Sequence, residues 1–180
     1  MTILKSQRLL LREATVEDSE FILQLMNEPA WREFIASHSI TNTEKAAEYI
    51  KNRLIAMYSQ LGFGLWVVET KKGGEPVGLC GLIKRPWLTS VDLGFAFLES
   101  HWGNGFAYEA ATACLKYACR HIKTKQVAAI TVPHNARSIK VLEKIGFYYL
   151  SNCTNPDTAE LLSLYEYECK PVNPLLRFKL

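Results

Sequence analysis

The 180 residues are enough for one globular domain with its own core and too few for two comfortable domains. Hydrophobic residues make up 48% and charged residues 22% of the chain, which is ordinary globular usage and excludes disordered and fibrous proteins. The net charge of +3 is too small to indicate nucleic-acid binding, and no apolar run approaches the roughly 20 residues of a membrane helix. We therefore expect a single cytoplasmic domain over residues 1–180, with no nucleic-acid or membrane partner.

The cysteines and histidines indicate neither a disulfide framework nor a metal site. The five cysteines are Cys80, Cys114, Cys119, Cys153 and Cys169. They are scattered and mostly lie in apolar stretches, which is typical of small buried side chains in a reducing compartment. Since no Cys-x-x-Cys pair occurs and the four histidines have no partner at ligand spacing, the sequence favours a protein without a metal.

The N-terminal half predicts a strand, two helices and a hairpin. Apolar residues recur at helical spacing after Thr15 and again after Thr43, whereas residues from Phe63 onward have the texture of strands. A glycine pair and a proline in residues 71–76 indicate a hairpin turn. The predicted elements are a strand over residues 8–13, a helix ended by Pro29, a helix from Thr43 to before Gly62, and strands over Leu65–Thr70 and Val77–Lys84.

The C-terminal half alternates strands and helices. The predicted elements are a strand over Val91–Leu98, a helix over Gly105–Arg120, a strand over Val127–Val132, a helix over Ala136–Ile145, and strands over Phe147–Cys153 and Glu160–Cys169. This order implies an α/β (α+β) fold, a mixed sheet with helices on its faces. The tail, residues 171–180, is rich in apolar side chains, and we expect it to dock on the body of the domain or on a second subunit.

The loop between the strand at 91–98 and the next helix suits a phosphate group. Gly103 and Gly105 allow positive φ and let a ligand approach the backbone without meeting a Cβ atom. The helix that follows brings free N–H groups and the positive end of its dipole to the same point. A dinucleotide fingerprint would need a third glycine at Tyr108, and no Gly-Lys-Ser/Thr follows, so both common nucleotide motifs are disfavoured.

Three segments resemble the GCN5-related N-acetyltransferase (GNAT) superfamily, and in particular its branch of ribosomal-protein N-terminal acetyltransferases, RimJ and RimL. Residues 91–98 resemble the central fourth strand of the family, 102–107 its pyrophosphate loop, and 135–147 its Asn-x-x-Ser segment that ends in Gly-Phe. The opening Arg8-Leu9-Leu10-Leu11-Arg12 is also similar to that branch. The resemblance implies the GNAT fold, a mixed central sheet of about seven strands splayed between the fourth and fifth strands, with helices on both faces.

The resemblance implies acetyl-CoA as the cosubstrate. The thioester arm would pair with the fourth strand as an added strand, and the pyrophosphate would lie over the loop from Gly103 to Tyr108. Lys140 and Lys144 share one helical face, which would meet the phosphates of CoA or simply face solvent. The implied cofactor-binding residues are Phe95, Ala96, Phe97, Leu98, Trp102, Gly103, Asn104, Gly105, Phe106, Ala107, Tyr108, Asn135, Ser138, Lys140 and Lys144.

The resemblance also implies catalytic roles. Many family members protonate the leaving thiolate with a tyrosine, but the matching residue here is Leu142, which makes Ser138 the better candidate to protonate or hydrogen-bond the thiolate, although a structural serine fits nearly as well. Asn135 would orient the cofactor arm or simply cap its helix. Glu99 or His134, directly or through water, would take the proton of the amine, although both residues also fit purely structural roles.

The acceptor is left open by the sequence. Likeness to RimJ and RimL favours a protein or peptide N-terminus, whereas relatives of the same shape acetylate polyamines, amino acids or antibiotics. Trp31, Tyr58, Trp66 and Trp87 are aromatic candidates for the acceptor cleft. A CoA-binding sensor without catalysis is the alternative from another functional class, and homodimerisation is plausible for this branch.

Overall fold

A single eight-stranded sheet organises the computed structural model, which describes residues 2–36 and 40–170. The strands are β1 (Thr2–Lys5), β2 (Leu9–Arg12), β3 (Leu65–Thr70), β4 (Pro76–Ile83), β5 (Val91–Phe97), β6 (Gln126–Thr131), β7 (Tyr148–Thr154) and β8 (Leu161–Glu168). They lie in the order β1-β2-β3-β4-β5-β6-β8-β7. β5 and β6 run parallel, whereas the other neighbouring pairs are antiparallel. The predicted docking of the tail at 171–180 lies outside the described residues.

Helices cover both faces of this sheet, as predicted. They are α1 (Ser19–Asn27), α2 (Pro29–Phe34), α3 (Thr43–Tyr49), α4 (Ala56–Leu61), α5 (Phe106–Tyr117) and α6 (Ala136–Ile145). A π-helical segment, Ile50–Ile55, joins α3 to α4, and another, Ala118–Ile122, extends α5. Among the described residues no helix is long and apolar enough to cross a membrane.

Two details of the N-terminal half differ from the prediction. Pro29 was expected to end a helix, and α1 does end just before it at Asn27, but Pro29 then occupies the first turn of a further helix, α2, where its missing N–H costs nothing. The predicted strand at 8–13 is preceded by β1, which pairs antiparallel with β2. With this added strand the sheet has eight strands. The fourth and fifth strands of the family, between which the splay was predicted, are therefore β5 and β6 here.

The sheet separates two hydrophobic clusters. On one face the small side chains Ala110, Ala111 and Cys114 of α5 are fully buried against the strands. On the other face α1 and α3 bury apolar side chains such as Ile22 and Ala46. Because alanines and a cysteine line α5, its axis can approach the sheet closely and bring its N-terminus to the end of β5.

The cysteines are partly as expected. Cys80 and Cys114 are buried free thiols, as the apolar sequence context predicted. Cys119 and Cys169 instead form a disulfide, with Cα atoms 5.4 Å apart, so the expectation of free cysteines is wrong for this pair. Cys119 lies in the π-helical extension of α5 and Cys169 follows β8. The tertiary fold brings them within bridging distance across 50 residues of sequence.

Candidate cofactor and acceptor site

β5 and β6 separate soon after they meet. Their parallel pairing is limited to Val91 with Val127 and Asp92 with Ala128. β5 nevertheless continues along β4 as far as Phe97, and β6 continues along β8 as far as Thr131. The predicted splay is therefore confirmed, and it leaves one edge of β5 open from residue 93 onward.

Backbone direction along β5 decides which groups face the gap. Leu98 donates its N–H to Val77 O at 3.0 Å, on the β4 side. Because backbone groups in an antiparallel pair point alternately to the two sides, those of Phe95 and Phe97 face the gap, while those of Ala96 face β4. Phe97 O accepts a hydrogen bond from Trp102 Nε1 at 2.9 Å. Of the four predicted residues 95–98, Phe95 is therefore the one whose backbone N–H and C=O both face the gap without a partner in the described structure.

Asp92 lies at the point where the two strands part. Its side chain is buried, and Oδ2 accepts a hydrogen bond from Arg85 Nε at 2.6 Å. Oδ1 is buried without a hydrogen-bond partner among the described residues. Burial raises the pKa of Asp92, although the Arg85 guanidinium opposes this shift. The base of the gap is thus held by an ion pair that the sequence analysis did not identify.

A short 3-10 turn, Glu99–His101, joins β5 to the glycine loop, which has the backbone expected of an anion cradle. Gly103 has φ of +79° and Gly105 has φ of +76°, both in the left-handed region. A Cβ atom at Gly103 would meet nothing within 4 Å, and at Gly105 it would lie 3.6 Å from Arg8 Nη2. The first helical hydrogen bond of α5 is donated by Glu109 N–H to Gly105 O at 3.1 Å. The earlier N–H groups of α5 are therefore those that a helix leaves free at its start.

Arg8 binds this loop from the other end of the sequence. Its Nη1 donates to Asn104 O at 2.9 Å, and its guanidinium lies 4.8 Å from the centre of the Phe106 ring. Nε donates to Glu109 Oε2 at 2.7 Å, while the Arg8 N–H and the Ser6 hydroxyl donate to Glu109 Oε1. Burial raises the pKa of Glu109, but these hydrogen bonds outweigh it and hold the pKa below its ordinary value.

Two cation–aromatic pairs join the loop and α5 to α6. The Arg137 guanidinium lies 4.6 Å from the Trp102 ring, and Lys144 Nζ lies 4.8 Å from the Tyr108 ring. The two positive charges thus lie against rings that flank the glycine loop, one before it and one in the first turn of α5. Of the two lysines predicted to face phosphates, Lys144 is thus near the loop, and Lys140 is an exposed residue of the same helix.

Asn135 and Ser138 start α6 at the end of the opened strand β6. Asn135 is buried, and its Oδ1 accepts a hydrogen bond from Ser138 N–H at 3.1 Å, so it caps the helix. In the part of the chain that the structure describes, its Nδ2 donates to no residue, and the Ser138 hydroxyl has no partner. Both groups are therefore available to a ligand. Leu142 is buried in the core.

The short helix α2 lies across the two candidate bases. Ala30 N–H donates to Glu99 Oε1 at 3.1 Å, and the Phe34 ring lies 5.6 Å from the His134 ring. Glu99 is half-buried and His134 is exposed. α2 thereby fixes one carboxylate oxygen of Glu99, and the described residues give the second oxygen no donor.

An open groove extends from His134 on the far side of β6. Its volume is about 500 Å³, and its lining residues are Val132, Pro133, His134, Glu160 and Leu161. Most of this lining is apolar, and Glu160 contributes a carboxylate. Trp66, in contrast, is 1% exposed and packs edge-on against Tyr117 in the core, so it lines no cleft.

Sequence reasoning missed Arg8, Arg137 and Asp92. Arg137 had a readable signal, since it precedes Lys140 and Lys144 on a helix with i, i+3, i+7 spacing. Arg8 had none, because 96 residues separate it from Asn104. Glu109 was assigned only to the helix dipole, and its partnership with Arg8 required the fold.

Comparisons with known proteins agree with this geometry. A family model described as an acetyltransferase (GNAT) domain matches residues 8–148. The uncharacterized protein YkkB of Bacillus subtilis is 42% identical over 90 residues, which are 49% of this chain and 52% of YkkB, so the chain spans about half of that relative. An uncharacterized N-acetyltransferase of Bacillus licheniformis, p20, is 27% identical over 150 residues, 82% of this chain and 83% of p20.

Solved structures of acetyltransferases share the fold. The crystal structure of a ribosomal-protein-S5-alanine acetyltransferase from Vibrio fischeri aligns with a TM-score of 0.78 at 16% identity. The alignment covers 97% of this chain and 100% of that one. This likeness concerns the fold. Because the family model covers well over half of the sequence, the chain belongs to the acetyltransferase (GNAT) domain family, whose members are acyltransferases.

Proposed function

We propose that this protein transfers the acetyl group of acetyl-CoA to a primary amine by direct attack, and that the acceptor is the N-terminus of a protein or peptide. The observation that carries the proposal is the open edge of β5, which is followed, after the short 3-10 turn Glu99–His101, by the glycine loop at the start of α5. An extended arm can pair with such an edge while its anionic end meets the free N–H groups of the helix.

The residues present fit the phosphates of CoA. Gly103 and Gly105 have open space where a side chain would otherwise begin. A phosphate could therefore approach the backbone of both residues closely. Arg137 and Lys144 carry charge to the same place, together with the Nη2 of Arg8 beside Gly105. Acetyl-CoA would supply an activated acetyl thioester, and this chain would supply the positioning.

Proton transfers are assigned to groups on both sides of the gap. A protonated amine cannot attack a carbonyl, so the acceptor must lose a proton first. Glu99 is our candidate base, directly or through water, because Ala30 N–H holds one carboxylate oxygen and leaves the other for the amine. Ser138, whose hydroxyl has no partner in the described part of the chain, is the candidate donor to the departing thiolate. Asn135 would orient the cofactor arm through its Nδ2.

The open groove beside His134 supports the choice of acceptor. An N-terminal acceptor needs a surface that is open where the peptide chain leaves the site, whereas a polycationic small molecule is bound best by several carboxylates around its positive charges. The groove offers an apolar lining and the single carboxylate of Glu160. The fold shared with the Vibrio fischeri enzyme, whose name describes an acceptor alanine on a ribosomal protein, agrees with this assignment.

Thiol release from acetyl-CoA, followed with a chromogenic disulfide, tests the proposal. The panel contains short peptides with free N-termini, the same peptides with blocked N-termini, polyamines, amino acids and aminoglycosides. We expect release with free peptides alone. Release with another class would overturn the peptide acceptor and keep the enzyme. CoA binding without release in any class would favour the sensor, and absence of CoA binding would overturn the whole proposal.

A further inference from the structure

A second cleft lies on the opposite side of α5 from the gap between β5 and β6. Its volume is about 530 Å³, and it lies between the residues that join β1 to β2 and the outer face of α5. Its charged and aromatic lining residues include Lys5, Arg8, Glu109, Lys116, Tyr117 and Arg120. In the sheet order β1 and β2 lie beyond β3 and β4 from the gap, and Arg8 and Tyr108 line the end of the cleft that adjoins the glycine loop.

The charges in this cleft do not balance. Glu109 is the one acidic residue of the lining, and its two oxygens already accept hydrogen bonds from Arg8 and Ser6. Lys5, Lys116 and Arg120 are exposed, and none of them forms an ion pair with the residues that the structure describes. The cleft therefore carries uncompensated positive charge.

The cations of α5 are placed to act on one ligand. Lys116 and Arg120 lie about one turn apart at the C-terminal end of α5 and in its π-helical extension, and both line the cleft. A cleft lined by charges of one sign concentrates its field and attracts ligands of the opposite sign. On the same wall the ring of Tyr117 is stacked on that of His121, with centroids 4.9 Å apart.

We infer that the cleft between the β1–β2 connection and α5 is a binding site for a small anion that carries two or more phosphate groups, separate from the cofactor site. Lys116 and Arg120 would bind phosphates from α5, and Lys5 would bind from the opposite wall. The volume lies within the range of small-molecule sites, about 300–1,000 Å³. The site shares Arg8 and Glu109 with the wall that supports the glycine loop, so its ligand would lie next to the cofactor site without entering it.

Calorimetric titration with inorganic pyrophosphate tests this inference. The protein is first saturated with CoA, so that the glycine loop is filled and only a further site can respond. We expect one further binding event of 1:1 stoichiometry. In the variant Lys116→Gln/Arg120→Gln its affinity should fall by about tenfold or more, because two charge-assisted contacts are lost.

The matched control is Lys51→Gln/Arg53→Gln, which removes one lysine and one arginine from exposed positions of the π-helical segment between α3 and α4. It should bind pyrophosphate as the unchanged protein does. Absence of a second binding event would overturn the inference. Equal weakening in both double variants would also overturn it, since pyrophosphate would then respond to the overall positive charge of the protein and not to this cleft. The inference does not depend on acetyl transfer. If CoA does not bind, the titration uses the free protein, and the same pair of variants decides.

Discussion

Arg8 Nε donates to Glu109 Oε2 at 2.7 Å and thereby connects the start of β2 to the first turn of α5. The same guanidinium donates to Asn104 O and lies against the Phe106 ring. One arginine from the beginning of the chain thus fixes a loop that follows it by about a hundred residues. Because the Arg8 side chain is 48% exposed, its guanidinium also keeps donors for a ligand at the loop.

Replacement of Arg8 tests this connection. Arg8→Ala should weaken CoA binding by about tenfold, since a charge-assisted contact and the support of the loop are lost together. Arg8→Lys should recover part of the loss, because lysine keeps the charge without the planar fork. The measurement is calorimetric CoA affinity, with kcat/KM for S-acetylpantetheine, which has no phosphate, as the control substrate. An equal loss with both would contradict a role at the phosphates.

Gly105→Val should abolish CoA binding and leave the fold intact. A branched side chain at φ of +76° is strained by about 1–2 kcal/mol and also occupies the space that we assign to the pyrophosphate. Gly62→Val is the matched control, because Gly62 has φ of +73° and open space around it at the end of α4. Both variants should lose similar stability in urea, and only the first should lose CoA. Unchanged CoA affinity of Gly105→Val would refute the cradle.

Variants of Asn135 can distinguish a role in binding CoA from its role in capping the helix. Asn135→Asp keeps the oxygen that accepts from Ser138 N–H but loses the Nδ2 donor, so CoA binding should weaken while stability stays. Asn135→Ala should lose about 1 kcal/mol of stability as well, because the cap disappears. If Asn135→Asp binds CoA normally, Asn135 is a cap and nothing more.

Ser138→Ala should lower kcat by about a hundredfold with little change in the KM for acetyl-CoA, as expected for a group that acts in the transition state. Steady-state kinetics with the acceptor identified by the panel measures this. Ser59→Ala is the control, since Ser59 is an exposed helical serine that bonds only to Ile55 O in the described structure. An unaltered kcat would remove Ser138 from the mechanism.

The lowered pKa of Glu109 makes its contribution to stability dependent on pH. A carboxyl whose folded pKa is depressed stabilises the fold fully above its unfolded pKa, about 4.3, and loses this effect as the pH falls through the folded value. We therefore expect Glu109→Gln to be less stable than the unchanged protein at pH 7. The difference in the free energy of unfolding in urea should shrink on acidification below pH 4. A difference independent of pH would exclude the ion pair as its source.

The ion pair of Arg85 and Asp92 should behave as a buried pair at the base of the gap. Arg85→Ala leaves the buried Asp92 carboxylate without its partner and should cost about 3 kcal/mol of stability. The double variant Arg85→Leu/Asp92→Leu should lose less, because no uncompensated charge remains. Urea denaturation of both variants measures this, and a larger loss in the double variant would contradict the account.

The sequence by itself determined the local elements and the family. Helical spacing, the turn at 71–76 and the glycine loop are properties of neighbouring residues, so their positions could be predicted within a few residues. Segments 91–98, 102–107 and 135–147 likewise identified the family before any fold was known, and the splay that they implied is present.

Contacts between distant residues were decided by the tertiary structure alone. Arg8 reaches Asn104, Cys119 reaches Cys169, and Ala30 N–H reaches Glu99 only after the sheet has assembled. Nothing in the residues near Pro29 or Cys169 specifies such partners, because a partner is chosen by the geometry of packing and not by neighbouring residues. The sequence could therefore predict a phosphate loop and candidate bases, while the fold decided which side chains hold them and where unbalanced charge accumulates.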